Sequence, residues 1–330
     1  MTQVSGLGGA RLPARSASRA PTSAVADTMG ALRRRMDAVT QAAWDGAGVV
    51  GRGIRTLSSP RGAAGTAVEG MWCAAHLAVY PWGLLADRHY YRHGYGLDEL
   101  TPTQRGLVIG DVEAAGTPIL LVHGMVDNRS IFTLLRRGLH RRGFGRVVTT
   151  NYSPFTNDVR AAAAQLAANV EELVADTGYE RIHVVGHSLG GLIARYYVQR
   201  LGGHERVHTL VTLGTPHLGT RAAYLWPAQL GRQLRPGSEL MDELAQPAPD
   251  CTTRFLSYWS DLDQLIVPKR NARVVHPDLQ GRNRLVRGVG HMSLPIKGRL
   301  VHEITTALSQ LGTDGTTITE GVTALQSRSR

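Results

Sequence analysis

A central, mostly parallel β-sheet covered by helices is the fold class that the sequence predicts, on three observations. From about Gly106 onward, short apolar runs alternate with longer amphipathic stretches, the pattern of strands joined through crossover helices. One of those runs, Pro118-Ile-Leu-Leu-Val122, reads as a buried strand. The chain has 330 residues and is 42% hydrophobic, enough for one large domain with appendages and short for two full ones.

The elements follow in order. After the strand at 118–122 comes a helix over about Ser130–Arg142 and a strand around Arg146–Thr150. The next helix begins near Asn157, carries Val159, Leu166, Val170, Leu173 and Val174 at near-helical spacing, and ends at Gly178. Arg181–Val185 is a strand and Leu189–Leu201 an amphipathic helix. Further strands are expected at Val207–Leu213, Arg254–Ser260 and Arg284–Gly288, with a closing helix over about Ile296–Leu311. The segment 218–250, rich in Leu and Ala, reads either as a partial lid or acyl-binding wall or as two packed helices bridging the sheet, and the two are compatible.

Outside this region the composition changes. Residues 1–60 form a basic leader expected to be disordered, 61–100 an apolar helical extension, 101–312 the main domain with its insertion at 218–250, and 313–330 a disordered polar tail. The stretch 62–86 contains Trp72, Leu77, Trp82, Leu84 and Leu85, and predicts a helix docked on the domain, or a peripheral membrane contact, before a true span. Residues 1–10 lack a charged region followed by an apolar one, so no standard secretory signal is expected, and the expectation is a cytoplasmic or peripherally membrane-associated protein. The formal net charge of +11 comes from scattered arginines without a nucleic-acid module, so no nucleic-acid partner is expected. Cys73 and Cys251 lack metal-ligand spacing and read as buried thiols, with a single disulfide as the alternative.

Three glycine-rich loops carry chemistry. Gly186-His-Ser188-Leu-Gly190-Gly lies between a buried strand and a helix, where a strained turn lifts a serine out of the sheet and leaves no room for side chains beside it. Ser188 is the candidate nucleophile, with Gly186, His187 and Gly190 supporting the turn. His123-Gly124-Met125 directly follows the first strand, and the amides of Met125 and Leu189 are the candidate donors to an oxyanion, with His123 and Gly124 shaping their loop. His291 sits in Gly288-Val-Gly-His-Met between the last strand and the last helix, and is the candidate base. An acid that orients it belongs between nucleophile and base in chain order, where Asp242, Glu243, Asp250, Asp261, Asp263 and Asp278 compete. Asp261 and Asp263 follow the apolar run Phe255–Trp259 and so stand at a strand's carboxyl end.

From His123 to His291 the chain resembles the bacterial lipase and esterase group of the α/β-hydrolases, including relatives of glycosylphosphatidylinositol inositol-deacylases. The matching pieces are Val122–Met125, Gly186–Gly191, Thr212-Leu-Gly-Thr-Pro-His217, Pro236–Leu240, Ser260-x-x-Asp263-x-x-Ile266-x-Pro268 and Gly290-His291. The resemblance implies the α/β-hydrolase fold, a Ser188, Asp263, His291 triad and a lipid-like carboxylic ester substrate; the chemistry needs no cofactor, and no metal is expected because the inserted segments that hold one in some relatives have no match here. It leaves Asp261 as a turn cap. An acyltransferase or thioesterase using the same triad remains the alternative, and a non-catalytic binding protein would be expected to lack a triad member.

Overall fold

Ile119–Val122 form β1, and each of its four side chains is buried. Ile119 and Leu121 join one apolar cluster, Leu120 and Val122 the other, so the strand is covered on both faces, and this is why it reads as an uninterrupted apolar run. The computed structural model describes residues 112–125, 129–150 and 157–309, with Arg33 and Ala67 as isolated helical positions. The basic leader but for Arg33, the 62–86 stretch but for Ala67, and the polar tail after Gly312 lie outside the described residues.

The elements are α1 (Val112–Gly116), β1, α2 (Thr133–His140), β2 (Val147–Thr150), α3 (Val159–Thr177), β3 (Ile182–His187) and α4 (Leu189–Arg200). They continue with β4 (Val207–Leu213), α5 (Gln229–Gln233), α6 (Glu239–Ala245), β5 (Arg254–Ser260), β6 (Gln280–Val286) and α7 (Gly298–Leu308). The strands make one six-stranded sheet in the order β2-β1-β3-β4-β5-β6, with every pair parallel. This is the α/β-hydrolase fold. Side chains of α3 to α6 pack on one face, and those of α2 and α7 on the other.

Local chemistry explains the boundaries. Asp158 caps α3 by accepting from the Arg160 amide at 2.8 Å, and Gly178 ends it in the left-handed region at φ 72°. The helix expected at Ser130–Arg142 opens with a 3-10 turn at Arg129–Phe132, and the one expected from Ile296 starts at Gly298, behind a turn that contains Pro295. Two expectations change. The last strand lies at Gln280–Val286, not Arg284–Gly288: at the end of the sheet it pairs with β5 alone, and its Gln280, Gly281 and Arg282 are exposed, so no apolar run marks its start. The helix expected to be amphipathic, α4, is instead buried from Leu189 to Val198, Arg195 included.

The insertion packs into the same core. Ala223, Leu230, Leu234, Leu240, Met241 and Leu244 are buried with α3 and α4. The Gln233 side chain accepts from the Val159 amide at 2.9 Å, and Arg160 on α3 pairs with Glu243 on α6, Nε lying 3.1 Å from both carboxylate oxygens. Tyr196 donates to the same carboxylate at 2.8 Å. The ion pair is partly exposed and contributes at most about 1 kcal/mol, so apolar burial holds the insertion and the pair sets its register. Among the described residues no helix is long and apolar enough to cross a membrane.

His183 on β3 is buried edge-on against His208, ring centroids 5.4 Å apart. Burial, together with the charges of His208, Arg254 and Arg181, holds its pKa well below the ordinary 6.5. The folded ring therefore stays neutral while the unfolded chain takes up a proton below about pH 6.5, and stability falls with falling pH by about 1.4 kcal/mol per unit for this residue. Urea unfolding at pH 7.5 and 5.5 should show a loss about 1.4 kcal/mol smaller in His183→Gln than in the unsubstituted chain. Equal losses would mean that the folded ring is protonated at pH 5.5.

Candidate active site

The sheet order reverses between β1 and β3, because β2 lies to one side of β1 and β3 to the other. At such a switch point two loops leave neighbouring strands in opposite directions and open a crevice at the carboxyl ends. In the register here Val122 pairs with Gly186, His187 with Leu213, Leu213 with Tyr258 and Ser260 with Val286. The segments after these residues carry His123–Met125, Ser188, Thr215–His217, Asp261–Asp263 and Gly288–His291, all at one end of the sheet.

β3 ends at His187 and α4 begins at Leu189, which leaves one residue to make the turn. Ser188 makes it with φ 52° and ψ −122°, the only positive φ at a non-glycine among the described residues. A residue with a side chain is strained there by about 1–3 kcal/mol, so its surroundings must impose the conformation. The Ser188 amide donates to the Leu213 carbonyl at 2.8 Å. Its carbonyl accepts from the Gly191 amide at 3.1 Å and from the Thr215 hydroxyl at 2.9 Å. The turn is also crowded: a Cβ on Gly186 would stand 2.4 Å from Gly191 Cα. One on Gly190 would stand 2.3 Å from both the Val122 and the His123 carbonyl oxygens. The end of β1 and the start of the loop after it, at Val122 and His123, thus lie directly against the first turn of α4. Leu189 is buried, while Met125 is 36% exposed.

His291 and Asp263 are both buried, and His291 Nδ1 lies 2.7 Å from Asp263 Oδ2. With Nδ1 donating to the carboxylate, Nε2 is left as the acceptor, the tautomer a general base needs. The second carboxylate oxygen accepts from the Leu265 and Ile266 amides, each at 2.9 Å. Burial by itself would raise the Asp263 pKa. The charge and hydrogen bond of His291, then the two amides, outweigh it and hold the carboxyl below its usual range. His291 also sits close to the turn. His187 Nε2 donates to the His291 carbonyl at 3.2 Å, and a Cβ on Gly214 would come within 3.0 Å of His291 Nδ1.

The loop bearing His291 is tied to the end of β5. Asp261 Oδ1 accepts from the Gly288 amide at 2.8 Å, and Ser260 Oγ donates to the Val289 carbonyl. Asp261 is therefore a cap, for a loop 27 residues further along and not for its own turn. Of the other candidate acids, Glu243 pairs with Arg160, and Asp278 accepts from the Ala248 amide at 2.7 Å. His123 Nδ1 donates to the Gly124 carbonyl at 2.8 Å and stiffens its own loop.

Thr215 and Arg195 also contribute here, and sequence reasoning did not single them out. Thr215 lies inside the Thr212–His217 match, yet nothing in that pattern assigns work to its hydroxyl. Arg195 falls in a helix that reads as amphipathic, where an arginine is expected in solvent. It is 2% exposed and donates to the His217 carbonyl at 2.7 Å and the Leu244 carbonyl at 2.9 Å. Burial lowers its pKa to about 10, so it stays charged, with carbonyls replacing its hydration shell. No group of His, Cys, Asp and Glu among the described residues is arranged to hold a metal ion.

A family model described as palmitoyl protein thioesterase matches residues 118–271. The triacylglycerol lipase of Pseudarthrobacter phenanthrenivorans is 31% identical over 114 residues, 32% of this chain and 35% of that protein. The triacylglycerol lipase of Burkholderia plantarii is likewise 31% identical over 114 residues, 32% of this chain and 31% of the relative. The chain thus spans about a third of the length of the curated relatives it matches. Among solved structures, the mature lipase BlEst2 of Bacillus licheniformis superposes with a TM-score of 0.51 at 20% identity, covering 59% of this chain and 92% of that one. The fold is that of the α/β-hydrolases, and the sequence similarities lie with triacylglycerol lipases and a thioesterase family model.

The crowding at Gly190 gives a direct test of this geometry. Gly190→Ala should lower the urea-unfolding free energy by about 1–3 kcal/mol, because two backbone carbonyls have no side-chain freedom with which to yield. Gly298→Ala, at the first position of α7, where a Cβ meets nothing within 4 Å and φ is not positive, supplies the control for adding a methyl to a helical glycine. A Gly190→Ala chain no less stable than that control would mean that the loop after β1 does not press on α4.

Proposed function

We propose that this chain is a serine hydrolase that cleaves carboxylic esters, with a lipid-like acyl group, through an acyl-serine intermediate. The observation that carries the reading is the buried contact of 2.7 Å between His291 Nδ1 and Asp263 Oδ2, set beside a serine held in a strained turn. A carboxylate buried completely, with one oxygen on two amides and the other on an imidazole, is costly to assemble and serves to orient and charge-stabilise that imidazole. Ser188 Oγ attacks the acyl carbon while His291 Nε2 takes its proton. The Met125 and Leu189 amides hold the negative oxygen of the tetrahedral intermediate. Its collapse breaks the acyl–oxygen bond, and His291 returns the proton to the leaving alcohol. Water then repeats the sequence on the acyl-serine and frees the acid. No cofactor or metal enters any step.

Lipase relatives and the lipase-like fold support the ester reading. A thioester substrate is the second reading, favoured by the palmitoyl protein thioesterase match at residues 118–271. The two differ in the leaving group alone, since a thiolate needs less help from His291 than an alkoxide. The anchored insertion serves in either case as a wall of the acyl pocket.

p-Nitrophenyl esters of increasing acyl length, assayed beside matched acyl thioesters, separate the readings through kcat/KM. Ser188→Ala should fold and lose at least about a thousandfold in turnover on every substrate, since the triad acts as a unit. Near-normal turnover by that variant would overturn the mechanism. Asp263→Asn should cost about a thousandfold or more in kcat because the amide favours the wrong imidazole tautomer, whereas Asp261→Asn keeps an acceptor for Gly288 and should cost little. If the Asp261 variant is the dead one and both are folded, the acid assignment moves by two residues.

A further inference from the structure

We propose that Thr215 is a positioning residue for the oxyanion site, acting through the peptide that links Ser188 to Leu189. The proposal rests on the reading of Ser188 as nucleophile and of the Leu189 amide as an oxyanion donor. The peptide group is planar and trans, so the Ser188 carbonyl and the Leu189 N–H belong to one rigid plate and point in opposite directions. Fixing the oxygen fixes the direction of the N–H. Thr215 Oγ1 donates to that oxygen at 2.9 Å, beside the helical bond from the Gly191 amide at 3.1 Å.

The helical bond alone is a weak guide to the plate, because it belongs to the first turn of α4 and follows any tilt of that turn. The Thr215 bond comes from outside the helix. Drawing electron density onto the carbonyl oxygen also makes the N–H at the other end of the same amide a better donor.

Two features show that the contact is built in. A Cβ on residue 191 would stand 2.0 Å from Thr215 Oγ1, so Gly191 leaves the space through which the hydroxyl reaches Ser188. The turn that carries Thr215 is anchored on both sides. The Gly214 amide donates to the Tyr258 carbonyl at 2.9 Å, and the His217 carbonyl takes a charge-assisted bond from buried Arg195 at 2.7 Å. The His217 ring is fixed as well, its Nε2 lying 2.9 Å from Thr212 Oγ1. A buried arginine with this many anchors gives the turn a rigidity that a lone hydroxyl contact would lack.

The test compares Thr215→Val, which keeps the shape and removes the donor, with Thr215→Ser, which keeps the donor, using a p-nitrophenyl ester and a fluorophosphonate probe. Oxyanion bonds strengthen in the transition state, so the valine variant should lose about tenfold in kcat while KM changes less than about twofold, and probe labelling of Ser188 should slow in parallel. The serine variant should return to within about threefold of the unsubstituted chain. Thermal unfolding shows whether each variant is folded. Should the valine variant not fold, Thr215→Ala takes its place with the same expected split. Equal kcat in the valine and unsubstituted chains, or equal losses in the valine and serine variants, would overturn the proposal. Ser188→Ala in the same assay keeps the premise separate: if it stays active the nucleophile is misassigned, and if it is dead while Thr215→Val is normal, the brace alone fails.

Discussion

Ser188 holds φ 52° and ψ −122°, a conformation the chain would abandon if its neighbours let it. Much of the surrounding structure acts to prevent that. The carbonyl of Leu213 takes its amide, Gly191 and Thr215 take its carbonyl, and Gly186 and Gly190 let two backbones close in on the turn. These partners sit on β3, β4, α4 and the turn after β4, and all are tied into the core. The strain is therefore borne by the core together with the anchored turn that carries Thr215.

A second assembly meets the first from the other half of the sheet. The end of β5 supplies Ser260, Asp261 and Asp263 to a loop that begins at Gly288, so three closely spaced side chains fix both the course of that loop and the tautomer of His291. His187 closes the circuit by linking the residue before Ser188 to the backbone of His291. Serine and histidine are 103 residues apart in sequence, yet each is referred to the other through bonds from neighbouring strands.

What the sequence made legible follows from where the signal lay. β1, β3, β4 and β5 are apolar because both faces are covered, and glycines punctuate them where backbone must approach backbone, so the strands and the loops with Ser188, His123 and His291 stand out. β6 does not, because an edge strand with exposed Gln280 and Arg282 has no apolar run to show. Asp261 and Asp263 are alike to a reader of residues, and only the loop's path gives one to Gly288 and the other to His291. Arg195 was hidden for a different reason: a charge in a helix usually marks its wet face, and here it marks a polar contact deep in the core. Thr215 offered no signal at all, since its use depends on the space left by Gly191, 24 residues earlier.

The insertion 218–250 is fastened along its length. Thr220 donates to Leu265, Gln233 receives the first amide of α3, Glu243 takes Arg160 and Tyr196, and the carbonyl of Leu244 takes Arg195. Between these points the stretch around Leu225, which is 61% exposed, stands clear of the core. In the proposed reading such a segment serves as a ruler and not as a door. Under the proposed chemistry, acyl groups are then sorted by how much of their length fits beside a fixed surface, and a lineage drifting toward longer or shorter chains would do so by trimming side chains on that surface while the main chain keeps its course.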